Sequence, residues 1–189
     1  MTADKLHRAV LAAVFAALAC AATLLIRVPT VMGYTNLGDG VVLLGAFVLG
    51  PGYGFLAGGL GSAMADLLAG YPHYLPGTFF IKGGSALIAA LLLKKALQGK
   101  RPSVLQMSLA AIPAELFMAA GYFLYKAFLL GRFEAAVASI PANLVQGALG
   151  AAVSVALYQA LSRIAQLEQY FGKVDDRCTK RSPRRPGRP

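Results

Sequence analysis

Three ionisable side chains, Asp66, Lys82 and Glu115, stand inside runs of apolar residues, and Asp39 stands at the mouth of another such run, close to Asn36. A charged group at membrane depth is costly, so each is a candidate for function before anything else is known. Asn143 and Gln146 are three residues apart in a further apolar run, which puts both on one face of a helix. Tyr34, Tyr71, Tyr74 and Tyr122 fall near the same level of the runs as these polar groups. Aromatic faces, apolar walls and a few fixed hydrogen-bonding groups suit a planar heterocyclic ligand. A purely structural reading stands beside this one: Asp66 and Lys82 form an internal ion pair, and Asn143 and Gln146 bridge helices. Glu115 follows Pro113, which frees a backbone carbonyl; it either lines the bottom of a cavity or pairs with a neighbouring helix.

Other chemistries find no support. His73 has no second ligand at metal spacing, and Cys20 and Cys178 form neither a metal motif nor a disulfide framework. No nucleophile and base occur at a recognisable spacing, so neither an enzyme, nor a metal, nor a cofactor is expected. Gly54, Gly58, Gly59 and Gly61 lack the order of a phosphate-cradling loop. Close helix packing explains them, and any ATP that powers the protein is bound on another polypeptide.

The elements that must position these groups are membrane helices. Of 189 residues, 57% are hydrophobic and 14% charged, far too few charges to cover a soluble domain of this size. Six apolar runs are candidate spans: 9–26, 41–49, 55–69, 78–93, 104–125 and 140–161. The second and third are short and rich in glycine, and VPTVMGYTNLGDG before them reads as a loop. Residues 1–8 form a terminus, 9–162 the membrane domain, and 163–189 a basic tail expected to be disordered near anionic lipid headgroups rather than bound to nucleic acid. With six spans, fourteen Lys and Arg fall on the side of both termini and three on the other, which predicts both termini in the cytoplasm. Asn36, Asp39, Lys82, Asn143 and Gln146 then lie in the outer half of the membrane.

The first run repeats Ala9, Ala13 and Ala17 on one helical face, with Ala12 and Ala16 beside it. Small residues every four positions let helix backbones approach closely in lipid, either within the chain or against a membrane partner. The string NLGDGVVLLGAFVLGPGYGFLAGGLGSAMADLLAGYPHYLPGTFFIKG, together with PANLVQGALG in the last run, resembles the substrate-binding S components of energy-coupling factor (ECF) transporters, most closely the branch named for riboflavin. The resemblance covers residues 8–162. It implies an all-α integral membrane bundle of six transmembrane helices with both termini cytoplasmic, in the plasma membrane. It implies capture of a water-soluble vitamin, riboflavin or a pyrimidine or pyridine heterocycle, at the outer face. Delivery would then pass through a transmembrane T component driven by two cytoplasmic ATPases. Carried onto this sequence, it places Asn36, Asp39, Tyr74, Lys82, Asn143 and Gln146 nearest the ligand, and Ala9, Ala13 and Ala17 against the T component. The competing expectation is a self-sufficient channel or ion-coupled transporter using Asp66, Lys82 and Glu115 as its path; the apolar runs show no inverted repeat to support it.

Overall fold

The computed structural model describes residues 3–30, 33–97 and 102–164. Most of the basic tail expected over 163–189, together with Lys100, Arg101 and Cys178, lies outside the described residues.

An unbroken run of Ala, Leu and Val forms α1 (Ala3–Leu25). After a short hairpin come α2 (Gly38–Leu49) and α3 (Pro51–Leu68). Gly50, at φ 79°, makes the turn between them, a left-handed conformation that glycine adopts without penalty. Pro51 opens α3, where its missing N–H costs nothing. A 3₁₀ turn at Pro72–Tyr74 leads into α4 (Leu75–Leu97). In α5 (Val104–Leu124), Ser103 and Gln106 form a reciprocal cap: the Gln106 N–H donates to the Ser103 hydroxyl at 3.2 Å, and the Ser103 N–H to the Gln106 carbonyl oxygen at 2.9 Å. One π-helical turn, Tyr125–Leu129, closes α5; a short α6 (Phe133–Ala138) and α7 (Ile140–Leu161) follow.

Lipid, rather than water, is the solvent this surface fits. Leu6, Val10, Val14 and Leu18 form an exposed stripe along α1, as do Leu105, Leu109, Ile112 and Leu116 along α5. Exposed apolar area on this scale marks a membrane face. Four helical stretches are long and apolar enough to cross: Lys5–Leu25, Pro72–Ala96, Val104–Leu129 and Phe133–Leu161. At 1.5 Å per residue, the twelve residues of α2 reach only about 18 Å, well short of a ~30 Å hydrocarbon core. All of α2 except Val41 is buried, with α1, α3, α4 and α7 packed around it.

The helices close on one another through small side chains. Ala86, Ala89 and Ala90 of α4 meet Ala110, Ala111 and Ala114 of α5 in the core, the pattern that close packing in lipid favours. At Gly59 a Cβ would sit 2.7 Å from the Phe79 carbonyl oxygen, so α3 and α4 pack backbone to backbone only because no side chain intervenes. On α1 the inward side is Ala12 and Ala19, both buried, while Ala13 and Ala17 are exposed and Ala9 is partly so.

One element departs from the sequence reading. The stretch read as a loop contains an antiparallel hairpin, β1 (Arg27–Thr30) and β2 (Gly33–Asn36). It pairs Arg27 with Asn36, Val28 with Thr35 and Pro29 with Tyr34. With only two strands, both are edges, so Pro29 can stand in one with its missing donor on the open side. The architecture is therefore helical with one hairpin at the mouth of α2.

Candidate ligand-binding site

The lowest layer of the site is a buried ionic frame. Asp39 in the first turn of α2 and Lys82 on α4 form an ion pair, their side chains 1% and 3% exposed. The positive end of the α2 dipole adds to the field that favours the carboxylate. The second oxygen of Asp39 accepts from the Gln146 amide at 2.6 Å. In turn the Gln146 carbonyl oxygen accepts from the Thr35 hydroxyl at 2.6 Å and the Asn36 N–H at 2.9 Å. One side chain thus ties α7 to α2 and to the hairpin. Gly150 permits it, since a Cβ there would meet the Asp39 Cβ at 2.6 Å.

The alternative pairing of Lys82 with Asp66 is corrected by this geometry. Asp66 is held by two hydroxyls instead, from Tyr34 at 2.7 Å and from Thr78. The Tyr122 hydroxyl donates on to Thr78 at 3.1 Å. Helix packing decides the matter: α2 brings Asp39 against α4, while α3 presents Asp66 toward the hairpin. Burial, reinforced by the charge of Asp66, pushes the Tyr34 hydroxyl well above its ordinary value, so Tyr34 remains a donor at neutral pH.

Above this frame lies an aromatic layer. Tyr34 and Tyr71 have ring centroids 5.6 Å apart, His73 and Tyr74 4.7 Å, and Tyr74 and Tyr125 6.0 Å. The Tyr125 hydroxyl donates to the His73 carbonyl at 2.7 Å, fixing the turn before α4.

Between the frame and the aromatic layer is a polar cavity of about 40 Å³. Of the residues expected at the ligand, Asn36, Tyr74, Asn143 and Gln146 line it. Asp39 and Lys82 are not among its lining residues; they sit behind Gln146. The remaining tyrosines of the sequence reading, Tyr34, Tyr71 and Tyr122, also line it, with Asp66 and Lys126. Lys126 is a lining residue outside the set expected at the ligand. Its signal was available: neither i±3 nor i±4 carries an acid, only Tyr122, Phe123, Leu129 and Leu130.

Glu115 lies elsewhere. It is buried on α5 and faces Gly147 of α7, with the Ser85 hydroxyl at 3.5 Å from one carboxylate oxygen. It lines a separate lateral cavity of about 150 Å³ with Ile112, Leu116, Leu144 and Ala148. Among the described residues no group of three His, Cys, Asp or Glu side chains is placed to hold a metal.

Residues 4–163 match the family described as ECF-type riboflavin transporter, S component. An uncharacterised protein of Pyrococcus woesei, described as lying in a gap 3′ region, is 42% identical over 74 residues, which are 38% of this chain and 49% of that protein. The chain thus spans about half the length of the curated relative it matches.

Proposed function

The chain belongs to the family of ECF-type riboflavin transporter S components, and from that premise we propose that it captures a water-soluble heterocycle of the vitamin class in the polar cavity under the hairpin. Riboflavin or a pyrimidine or pyridine compound is the ligand, and separate ATPase subunits power its import. The observation that carries the reading is the cavity itself. Tyr71, Tyr74 and Tyr122 line it together with the amides of Asn143 and Gln146, the mixture that suits a planar heterocycle.

Scale adds a step to the proposal. A cavity of about 40 Å³ holds roughly three waters, whereas pockets for ligands of vitamin size run to ~300 Å³ or more. The ligand therefore enters by displacing a wall. The hairpin is such a wall, held to the helices by the Tyr34–Asp66 bond, two bonds to Gln146 and the Thr23–Asn36 contact. At about 1 kcal/mol net per hydrogen bond, opening costs a few kcal/mol, which ligand contacts offset.

In this proposal α1 to α5 and α7 are the six membrane helices, with the short α2 carried through the interior of the bundle rather than against lipid, and the Lys and Arg distribution favours both termini in the cytoplasm of a cell whose plasma membrane holds the protein. Ala13 and Ala17 are exposed on α1, and Ala9 partly so, with the inward packing left to Ala12 and Ala19. That stripe is the docking face for a transmembrane T component, itself driven by two cytoplasmic ATPases.

Thermal unfolding of the purified chain against a panel of vitamins tests the capture role. A ligand that binds only the folded state at ~100 Kd stabilises it by about 2.7 kcal/mol. A rise in Tm with one heterocycle supports the proposal, and no rise with any vitamin or precursor counts against it.

A further inference from the structure

Two donors lining the cavity have no acceptor among the described residues. Lys126 is 7% exposed, and among the described residues its ammonium has neither a hydrogen bond nor an ion pair; its one polar contact is the Tyr74 ring, 6.0 Å away. Asn143 is 8% exposed, and its amide nitrogen is without a partner among the described residues. Both line the same cavity, Lys126 from the end of α5 and Asn143 from α7.

The local backbone explains how Lys126 comes to face inward. Ala111, Glu115 and Ala119 are buried along one side of α5, and helical spacing brings Tyr122 and Lys126 onto that side next. Lys126 lies in the π-helical turn Tyr125–Leu129 that continues this side of the helix, and it is buried there. Nor is Lys126 there to cap the carbonyls of that turn. The Tyr125 carbonyl accepts from the Leu130 N–H at 3.1 Å, and the Lys126 carbonyl from the Arg132 N–H at 2.9 Å. The nearby carboxylates are committed as well, Asp39 to Lys82 and Gln146, and Asp66 to Tyr34 and Thr78. An unpaired buried amide N–H is expensive, and an ammonium in so narrow a cavity favours a counter-charge beside it; one oxyanion between the two would satisfy both.

We propose that Lys126 and Asn143 form an oxyanion subsite, so that the ligand captured here is a heterocycle carrying a carboxylate or a phosphate. This rests on the capture role proposed above and narrows it. A neutral compound would leave the ammonium without a counter-charge. An anionic one brings a charge-assisted hydrogen bond that distinguishes it from its neutral parent. The aromatic faces of Tyr71 and Tyr74 would then hold the ring, while Lys126 and Asn143 read the substituent.

Equilibrium binding of matched pairs to the purified full chain tests this. Riboflavin is compared with its 5′-phosphate, and nicotinamide with nicotinate. The anionic member of at least one pair is expected to bind tenfold or more tightly than its neutral partner, about the worth of one hydrogen bond to a charged group. Lys126→Met should abolish that preference, Lys126→Arg should keep it, and Asn143→Ala should reduce it. The pair that shows the preference separates phosphate from carboxylate. If neutral members bind equally well or better, or if the preference survives in Lys126→Met, the subsite is refuted and the capture role stands. If no member binds and the chain retains nothing from the low-mass fraction of a cell extract, both fall. Lys126→Met replaces a side chain that makes no hydrogen bond with one of similar length, and an unchanged Tm of the unliganded protein will show that it folds.

Discussion

Replacing Lys82 by Met tests whether the buried ion pair is the frame on which the cavity rests. In the native protein one oxygen of Asp39 is matched by Lys82 and the other by Gln146, and both charged side chains are nearly inaccessible. Lys82→Met leaves a carboxylate at membrane depth with a single amide donor. Removing one member of a buried pair costs about 3–5 kcal/mol. For a chain of this length, 1 kcal/mol corresponds to roughly 2–4 °C in Tm, so Tm should fall by about 6–20 °C. The double variant Asp39→Asn/Lys82→Met removes both charges and keeps an acceptor for Gln146. It should recover at least half of that loss, because the penalty lies in the uncompensated charge rather than in the lost contact. The assay is thermal unfolding in detergent, followed by circular dichroism. A shift under about 2 °C for Lys82→Met, or a double variant no better than the single one, would refute the reasoning.

Three further outcomes are expected. Tyr34→Phe removes the clasp between β2 and α3 and leaves Asp66 with one hydroxyl donor; hydrogen exchange over residues 27–36 should accelerate by about tenfold, the worth of one hydrogen bond to a charged group. Because the folded-state value of Tyr34 is raised, its contribution is fully present below the ordinary tyrosine value of ~10 and is lost as pH climbs above that. Hairpin protection should therefore be flat from pH 6 to 9 and fall from about pH 10 upward in the native protein only, since Tyr34→Phe removes this dependence. Gly59→Leu should prevent stable folding or cost about 3 kcal/mol or more, read as lost monodisperse protein, because α3 cannot approach the Phe79 carbonyl with a side chain between them. Ala13→Trp with Ala17→Trp should leave ligand binding within about twofold yet cut uptake by about tenfold or more in cells that also carry the T component and ATPases, since both side chains leave the helix on its outer face.

The parts of the fold that sequence made legible are those written in local chemistry. The run Ile140–Leu161 is bounded as a helix by Pro141 at its start and by polar residues after it, and α7 has those limits. The sequence GPG marks the break between α2 and α3 because glycine turns the chain and proline can begin a helix. Local chemistry was silent where tertiary packing decides. Asp39 and Asp66 both stand within reach of a lysine on α4 by any reading of the runs. Only the crossing of α2 with α4 and α7 selects Asp39 for Lys82 and leaves Asp66 to the hydroxyls of Tyr34 and Thr78. The hairpin was hidden because its strands have four residues each and carry Pro29 and Gly33, which break the alternation that signals a strand. Lys126 shares a helical side with Glu115, Ala119 and Tyr122 and has no acid one turn away, yet by composition alone it also reads as one more cation of a polar connection. Asn36, Tyr74, Asn143 and Gln146 were found because polar side chains in apolar runs are rare and conspicuous, and the cavity brings those four together.

The most direct test of the central claim is to purify the chain by itself from its native membrane, denature it, and record the absorbance and mass spectra of what it releases. The account predicts one small heterocycle, released in about equimolar amount, in the absence of any ATPase. Release of no such compound, together with ion-gradient-driven uptake by the chain alone in liposomes, would contradict it.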